Sequence, residues 1–203
     1  MHQHSILFNR LVEVKKRFHP ISSAYVLQMA QFSHIKFYKA GETILNFKEI
    51  QSFVWFQGSG TTMEITRDLI SGKEFTTWFW FPDDFLYTEP GFFSQHPSVS
   101  SIVALEDSIF MYISVEDFLT LKQLFSETEK VSEKLRDNYK MRRTQHTLDM
   151  KHIAIERIRS FHSTHPALFK VCSRKRLASF LGMSPDTLTR EMKKLGIENQ
   201  NIR

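Results

Sequence analysis

The residues best suited to chemistry in this 203-residue chain lie near its end, in the run Ser184-Pro185-Asp186-Thr187-Leu188-Thr189-Arg190-Glu191-Met192-Lys193-Lys194. Arg190 carries a planar fork of N–H donors that fits the two acceptors on the major-groove edge of guanine, and Asp186 is placed to accept from a cytosine amino group or to orient Arg190. Asp186, Thr189, Arg190 and Lys193 fall on one helical face, with Thr187 near its start. Arg174, Ser184, Thr187 and Lys194 suit phosphate oxygens, contacts that position a protein on a duplex without reading its sequence. The chemistry on offer is therefore recognition of a polyanion rather than bond making. The alternative is a plain helical hairpin whose charges are simply solvated.

These side chains need two helices crossing at a tight turn. Leu177, Phe180 and Leu181 give a first helix an apolar face, Ala178 is small enough for a close crossing, and Gly182 permits the turn between them. Ser184 is a good N-cap and Pro185 suits the first helical position, while Leu188, Met192 and Leu195 supply the buried side of the second helix. Charge is distributed to match. Residues 149–203 carry 11 Lys and Arg against 5 Asp and Glu, whereas residues 1–148 carry 16 against 17, so all of the net +5 belongs to the last quarter. A solvated basic tail is the competing explanation.

Upstream, β-branched and aromatic clusters alternate with Gly, Asp and Pro signals, which predicts strands at 35–38, 43–45, 52–57, 61–67, 74–81, 100–105 and 108–113. Gly58-Ser59-Gly60 and Ser71-Gly72 read as hairpin turns. Such spacing indicates a β-roll or sandwich, preceded by helical residues 6–33 broken at Pro20. From Val115 about thirty residues lack Gly and Pro and are rich in Glu, Lys, Leu and Arg, predicting one long exposed helix. Leu124, Val131, Leu135 and Asn138 share a heptad-like stripe on it, the seam expected to join two copies; a helix packed only on its own roll is the alternative. A further amphipathic helix carries Ile153, Ile155, Ile158 and Phe161 and stops before His165-Pro166.

The run Leu177-Ala178-Ser179-Phe180-Leu181-Gly182-Met183-Ser184, followed by Thr187-Leu188-Thr189-Arg190, resembles the helix-turn-helix signature of the Crp/Fnr family of regulators. Ala104-Leu105-Glu106-Asp107-Ser108 is similar to the strand and turn that follow that family's phosphate-binding cassette. The resemblance implies an α+β chain: an N-terminal double-stranded β-helix (β-roll) with flanking helices over 1–114, a long dimerisation helix over 115–148, and an all-α helix-turn-helix domain over 149–203. It implies base contacts from Pro185, Asp186 and Arg190, and backbone contacts from Ser173, Arg174, Ser184 and Thr187. Pro185 cannot hydrogen-bond a base, so specificity at that position is expected to be looser or read through methyl contact. With the sequence ending at Arg203, at most a short wing is expected.

The implied cyclic-nucleotide pocket is degenerate. Ser98 stands where the family's phosphate-binding arginine is expected, Ser100 lies beside it, and Tyr87-Thr88-Glu89 replaces a Phe-Gly-Glu, keeping Glu89 for a ribose hydroxyl. Residues 82–105 hold no Lys or Arg, and a buried phosphate without a cation is costly. Cyclic AMP and cyclic GMP are therefore expected to bind weakly or not at all; another small-molecule effector stays open. The aromatic residues of 75–93 are expected to be core, with an apolar ligand pocket as the alternative.

No metal or cofactor is expected: His152, His162 and His165 have no carboxylate or cysteine at ligand spacing and read as exposed residues near a helix end, and the single Cys172 reads as a packing residue. Gly-rich phosphate loops and nucleophile elbows are missing, so an enzyme is not expected. Apolar runs are too short for a membrane span, the first residues lack the blocks of a secretion signal, and one cysteine allows no internal disulfide, so a cytoplasmic protein is expected. The expected partners are double-stranded DNA and a second copy of the chain.

Overall fold

The computed structural model describes residues 2–197. Two helices open the chain, α1 (His2–Phe18) and α2 (Ser23–Phe32), the second capped by Ser22, whose hydroxyl accepts from the Tyr25 N–H. Eight strands follow: β1 (His34–Tyr38), β2 (Thr43–Leu45), β3 (Phe53–Ser59), β4 (Thr62–Arg67), β5 (Glu74–Trp80), β6 (Phe85–Leu86), β7 (Ser100–Ala104) and β8 (Ser108–Ser114). They form two antiparallel four-stranded sheets, ordered β1-β8-β3-β6 and β2-β7-β4-β5, which make the expected β-roll. Buried Leu7, Leu11, Val14, Tyr25 and Met29 press the N-terminal helices onto Phe56, Met111 and Ile113 of the first sheet.

The seven expected strands form. β6 was not expected. Of the two expected hairpin turns, the Ser71-Gly72 loop does join paired strands, β4 and β5, but Gly58-Ser59-Gly60 does not, because β3 and β4 belong to different sheets. The glycines there serve a crossing between layers: Gly60 has φ +81°, and a Cβ on Gly58 would meet the Leu7 side chain at 2.6 Å.

The single long helix expected from Val115 is two helices, α3 (Val115–Leu124) and α4 (Glu127–Asp149). Phe125 takes an extended conformation (φ −139°, ψ 116°) that sets its ring edge-on against Tyr25 of α2, 5.6 Å away. The aromatic anchor breaks the helix without Gly or Pro. On α4, Thr128, Val131, Ser132 and Tyr139 are buried against the rest of the chain. Val131, only 1 % exposed, is therefore not part of an open seam; Leu135 and Asn138 are half-buried beside it and Leu124 lies outside, on α3. The large apolar residues that α4 leaves exposed are Met141 (64 %) and Leu148 (47 %), seven positions apart.

The C-terminal part contains α5 (Ala154–Thr164), α6 (Leu168–Val171), α7 (Arg174–Phe180) and α8 (Pro185–Lys194). One apolar cluster runs from the roll (Trp78, Phe79, Trp80) through Tyr139 to Ile158, Phe180, Leu188 and Met192. The core thus crosses the expected boundaries at 114 and 149. Aromatic residues of the 75–93 segment are mostly core, as expected: Trp78, Phe79, Trp80, Tyr87 and Phe92 are buried, while Phe75 is exposed. Among the described residues no helix is long and apolar enough to cross a membrane.

Candidate nucleic-acid interface

α7 and α8 meet at Gly182, whose φ of +64° is the left-handed conformation the turn requires. Ser173 and Ser184 cap the two helices, accepting from the N–H groups of Arg176 (3.4 Å) and Thr187 (3.1 Å), and Pro185 occupies the first turn of α8. Leu177, Ala178, Phe180, Leu181, Leu188 and Met192 are buried, as expected, whereas Leu195 is only half-buried. Arg157 of α5 closes the turn from behind: its Nη1 donates to the carbonyls of Leu181 (2.7 Å) and Gly182 (3.2 Å), the end of α7 where a cation is favoured.

The outer face of α8 is open. Pro185, Asp186, Thr189, Arg190, Lys193 and Lys194 are exposed, and the Arg190 side chain is 63 % accessible. Asp186 is not what orients Arg190. Glu191, buried on the inner side of the helix, accepts from Arg190 Nε (2.9 Å) and Lys194 Nζ, and these two cations, Lys194 foremost, hold its carboxyl below the usual range. Pairing through Nε leaves the outer edge of the guanidinium directed away from the carboxylate. Arg174 Nη1 donates to Thr189 Oγ1 (3.2 Å), and Thr187 receives the Ser184 hydroxyl (3.0 Å), so expected phosphate-contacting and base-contacting residues lie on one continuous surface. The place for a wing falls at 198–203, outside the described residues.

Glu89, Ser98 and Ser100 are not brought together. Glu89 is on the surface, whereas Ser98 and Ser100 are buried and hydrogen-bonded to each other. Inside the roll, Ser100 donates to Glu64 Oε1 (2.8 Å), while Tyr139 (3.4 Å) and Arg143 of α4 donate to Glu64 Oε2. Burial works against the Arg143 charge, yet Glu64 and Tyr139 outweigh it and leave the guanidinium above its ordinary pKa. A buried carboxylate of the chain itself thus ties the roll to the long helix. Sequence reasoning missed Glu64, although an acidic residue between Met63 and Ile65 in a strand is the one visible sign.

α7 is docked on the roll, which the sequence did not indicate. Ser179 Oγ accepts from the Thr76 N–H (3.0 Å), Arg176 pairs with Glu74 (2.9 Å), and the Phe180 ring lies 4.8 Å from Phe79. Arg176, and then Arg67, hold the Glu74 carboxyl below the usual range. Cys172 is fully buried and its thiol is pushed up to about 12 by that burial, as suits the packing role expected of it. Among the described residues no cluster of His, Cys, Asp and Glu could hold a metal.

Two histidines sit in this junction. His146 of α4 stacks on Phe180 (4.1 Å, 14° between planes), and His165 stacks on Phe81 (4.2 Å); His165, and His162 with its ring 4.9 Å from Phe169, are partly buried and not the exposed residues expected, whereas His152 is exposed. Burial, foremost, lowers both pKa values; Arg143 adds to this at His146 and Arg142 at His165, with Asp149, Asp84 and hydrogen bonds at the Phe180 and Phe161 backbones opposing. An unfolded chain binds protons at these sites from about pH 6.5 downward while the folded chain resists, so the stabilisation is complete above that value and is lost as pH falls. The urea midpoint is expected to drop between neutral and mildly acid pH, with a shallower drop in the His146→Phe, His165→Phe double variant. A pH-independent difference between the two proteins would contradict this.

Residues 35–124 match the family model of the cyclic nucleotide-binding domain. No curated protein matches the chain. Among solved structures, FixK2 from Bradyrhizobium japonicum is 18 % identical with a TM-score of 0.66, covering 81 % of this chain and 84 % of its own. CLP from Xanthomonas campestris, described as a c-di-GMP responsive global regulator, is 18 % identical with a TM-score of 0.65, covering 86 % and 92 %. The Catabolite Activator Protein of Thermus thermophilus is 21 % identical with a TM-score of 0.52, covering 88 % and 85 %. At these identities the likeness is one of fold, and the chain carries a cyclic-nucleotide-binding-type domain joined to a helical C-terminal region in the arrangement of Crp/Fnr-type regulators.

Proposed function

We propose that this protein is a sequence-specific DNA-binding transcription regulator of the Crp/Fnr type that acts as a homodimer and does not respond to cyclic AMP or cyclic GMP. The observation that carries the reading is the outer face of α8: a capped helix whose apolar side is buried leaves Asp186, Thr189, Arg190 and Lys193 exposed together. Pro185, Asp186, Thr189 and Arg190 are assigned to base edges, and Ser173, Arg174, Ser184, Thr187, Lys193 and Lys194 to phosphates. Ser173 and Ser184 use an oxygen lone pair for capping, so each meets a phosphate by donating its hydroxyl hydrogen, at Ser184 in place of the bond to Thr187 Oγ1.

Insensitivity to cyclic nucleotides is supported by the Glu64 network. An anion built into the roll accepts from Ser100, Tyr139 and Arg143, and a phosphate there would meet like charge. For the dimer, Met141 and Leu148 replace Val131 as the apolar positions of α4 available to a second copy.

Fragments of genomic DNA selected by the purified protein are expected to share a pseudo-palindrome with half-sites about one helical turn, roughly 10 base pairs, apart. Their affinity is expected to fall steeply with salt. The docking of α7 on β5 through Ser179 and Phe180 favours a second reading, a module whose helix-turn-helix contacts protein and not DNA. Salt-insensitive binding, or none, would select that reading.

A further inference from the structure

Leu188, Met192 and Leu195 repeat at helical spacing along the inner side of α8, and Glu191, three positions after Leu188, stands on that same side. Spacing alone suits an apolar residue there, and only 7 % of Glu191 is exposed. A carboxylate withdrawn from water is costly unless cations pair with it. Both of its cations come from α8 itself: Lys194 Nζ lies 2.9 Å from Oε2, and Arg190 Nε donates to Oε1 over 2.9 Å.

The two pairs differ in what they fix. Lys194 brings a point charge on a flexible stem, whereas the Arg190 guanidinium is a rigid plane of N–H donors. Such a plane meets O6 and N7 of guanine either side-on, through Nε and one Nη, or end-on, through both Nη atoms. The bond to Glu191 occupies Nε, so the side-on edge is taken and the end-on pair is left. The Arg190 side chain is 63 % accessible and that of Glu191 only 9 %, so the anchor lies inside and the group it holds lies outside.

We propose that Glu191 is a positioning residue for base recognition, holding Arg190 by its Nε so that both Nη atoms meet a guanine end-on. The inference rests on the function proposed above, in which Arg190 reads a base edge. A guanidinium fixed before contact loses less side-chain freedom on binding, a gain realised only where a base accepts both donors. The negative charge of Glu191 acts differently, opposing phosphate attraction alike on every sequence.

The test compares the full chain with its Glu191→Met, Glu191→Gln and Arg190→Ala variants, and with the Arg190→Ala, Glu191→Met double variant. Each is titrated with a duplex selected by the parent from genomic fragments and with a random duplex of equal length. Methionine has a similar length, suits the inner side of α8 and offers Nε no oxygen; glutamine keeps an acceptor oxygen and removes the charge. Both single variants at Glu191 are expected to bind random DNA more tightly than the parent. Glu191→Met is expected to lose about tenfold in the ratio of selected to random affinity, Glu191→Gln to stay within about threefold of the parent, and the double variant to match Arg190→Ala.

If Glu191→Met keeps the parent's ratio while Arg190→Ala loses it, this inference fails and the reading of α8 as the base-contacting helix stands. An Arg190→Ala variant that keeps the ratio overturns both. A loss at Glu191→Met that recurs undiminished in the Arg190→Ala background, or that Glu191→Gln shares in full, is a packing effect and overturns the positioning role.

Discussion

Glu64→Ala is expected to cost about 3 kcal/mol of folding stability, the lower end of the range for breaking a buried ion pair by removing one partner. Glu64 is 5 % exposed on β4, between β5 and β7, and takes donors from three places: Ser100 on β7, and Tyr139 and Arg143 on α4. Its loss strands a guanidinium whose Nε already lacks an acceptor, together with a phenol whose ionisation burial opposes. The effect stays at the low end because the Arg143 side chain is about a third accessible and water can reach part of it. Trp78 and Tyr139 keep their cation–π contacts with Arg143, about 5 Å from each ring, which also moderates the loss.

Urea unfolding of Glu64→Ala, Arg143→Met and the Glu64→Met, Arg143→Met double variant separates pair from packing. The double variant is expected to lie close to the parent, since an apolar replacement removes both desolvated charges at once. A single-variant loss below about 1 kcal/mol, the magnitude of an exposed pair, would show that the carboxylate does not hold α4 to the roll.

The parts of this fold legible in the sequence are those governed by neighbours in the chain. Ser184, Pro185 and Gly182 mark the turn between α7 and α8 because capping, a fixed φ and a left-handed turn are local requirements. The strands of the roll were legible for the same reason, bounded as they are by Gly, Asp and Pro. β6 was not, because two residues make no period; Phe85 and Leu86 are a strand only by pairing with β3.

Where distant residues decide, the pattern misled. Phe125 breaks a helix that its composition favours because Tyr25 is there to receive its ring. Val131 fits a heptad by spacing, yet α4 turns that side inward, where it is matched by Thr128, Ser132 and Tyr139. Glu64 and Tyr139 are 75 residues apart and Thr76 and Ser179 are 103 apart, so neither the internal carboxylate nor the docking of α7 leaves a local trace. For the candidate interface, the residue types on α8 were readable, but the partner of Arg190 was not: Glu191 sits next to it in sequence, and only the helix shows that its carboxylate gathers both Arg190 and Lys194.

If the exposed side of α8 reads base pairs, Arg190 and Lys194 differ in their effect on DNA affinity, because one is assigned to a base edge and the other to a phosphate. The most direct measurement compares Arg190→Ala with Lys194→Ala on a selected duplex and on random DNA across a salt series. Arg190→Ala is expected to lose about 1–3 kcal/mol on the selected duplex, with relaxed preference at one base pair in each half-site and little change on random DNA. Lys194→Ala is expected to weaken both DNAs alike and to reduce the salt slope by about 1. Both variants are expected to fold as the parent does, because neither side chain is buried and Glu191 keeps one cation in each. If Arg190→Ala and Lys194→Ala weaken selected and random DNA to the same degree, or if neither changes binding, the face of α8 does not read sequence.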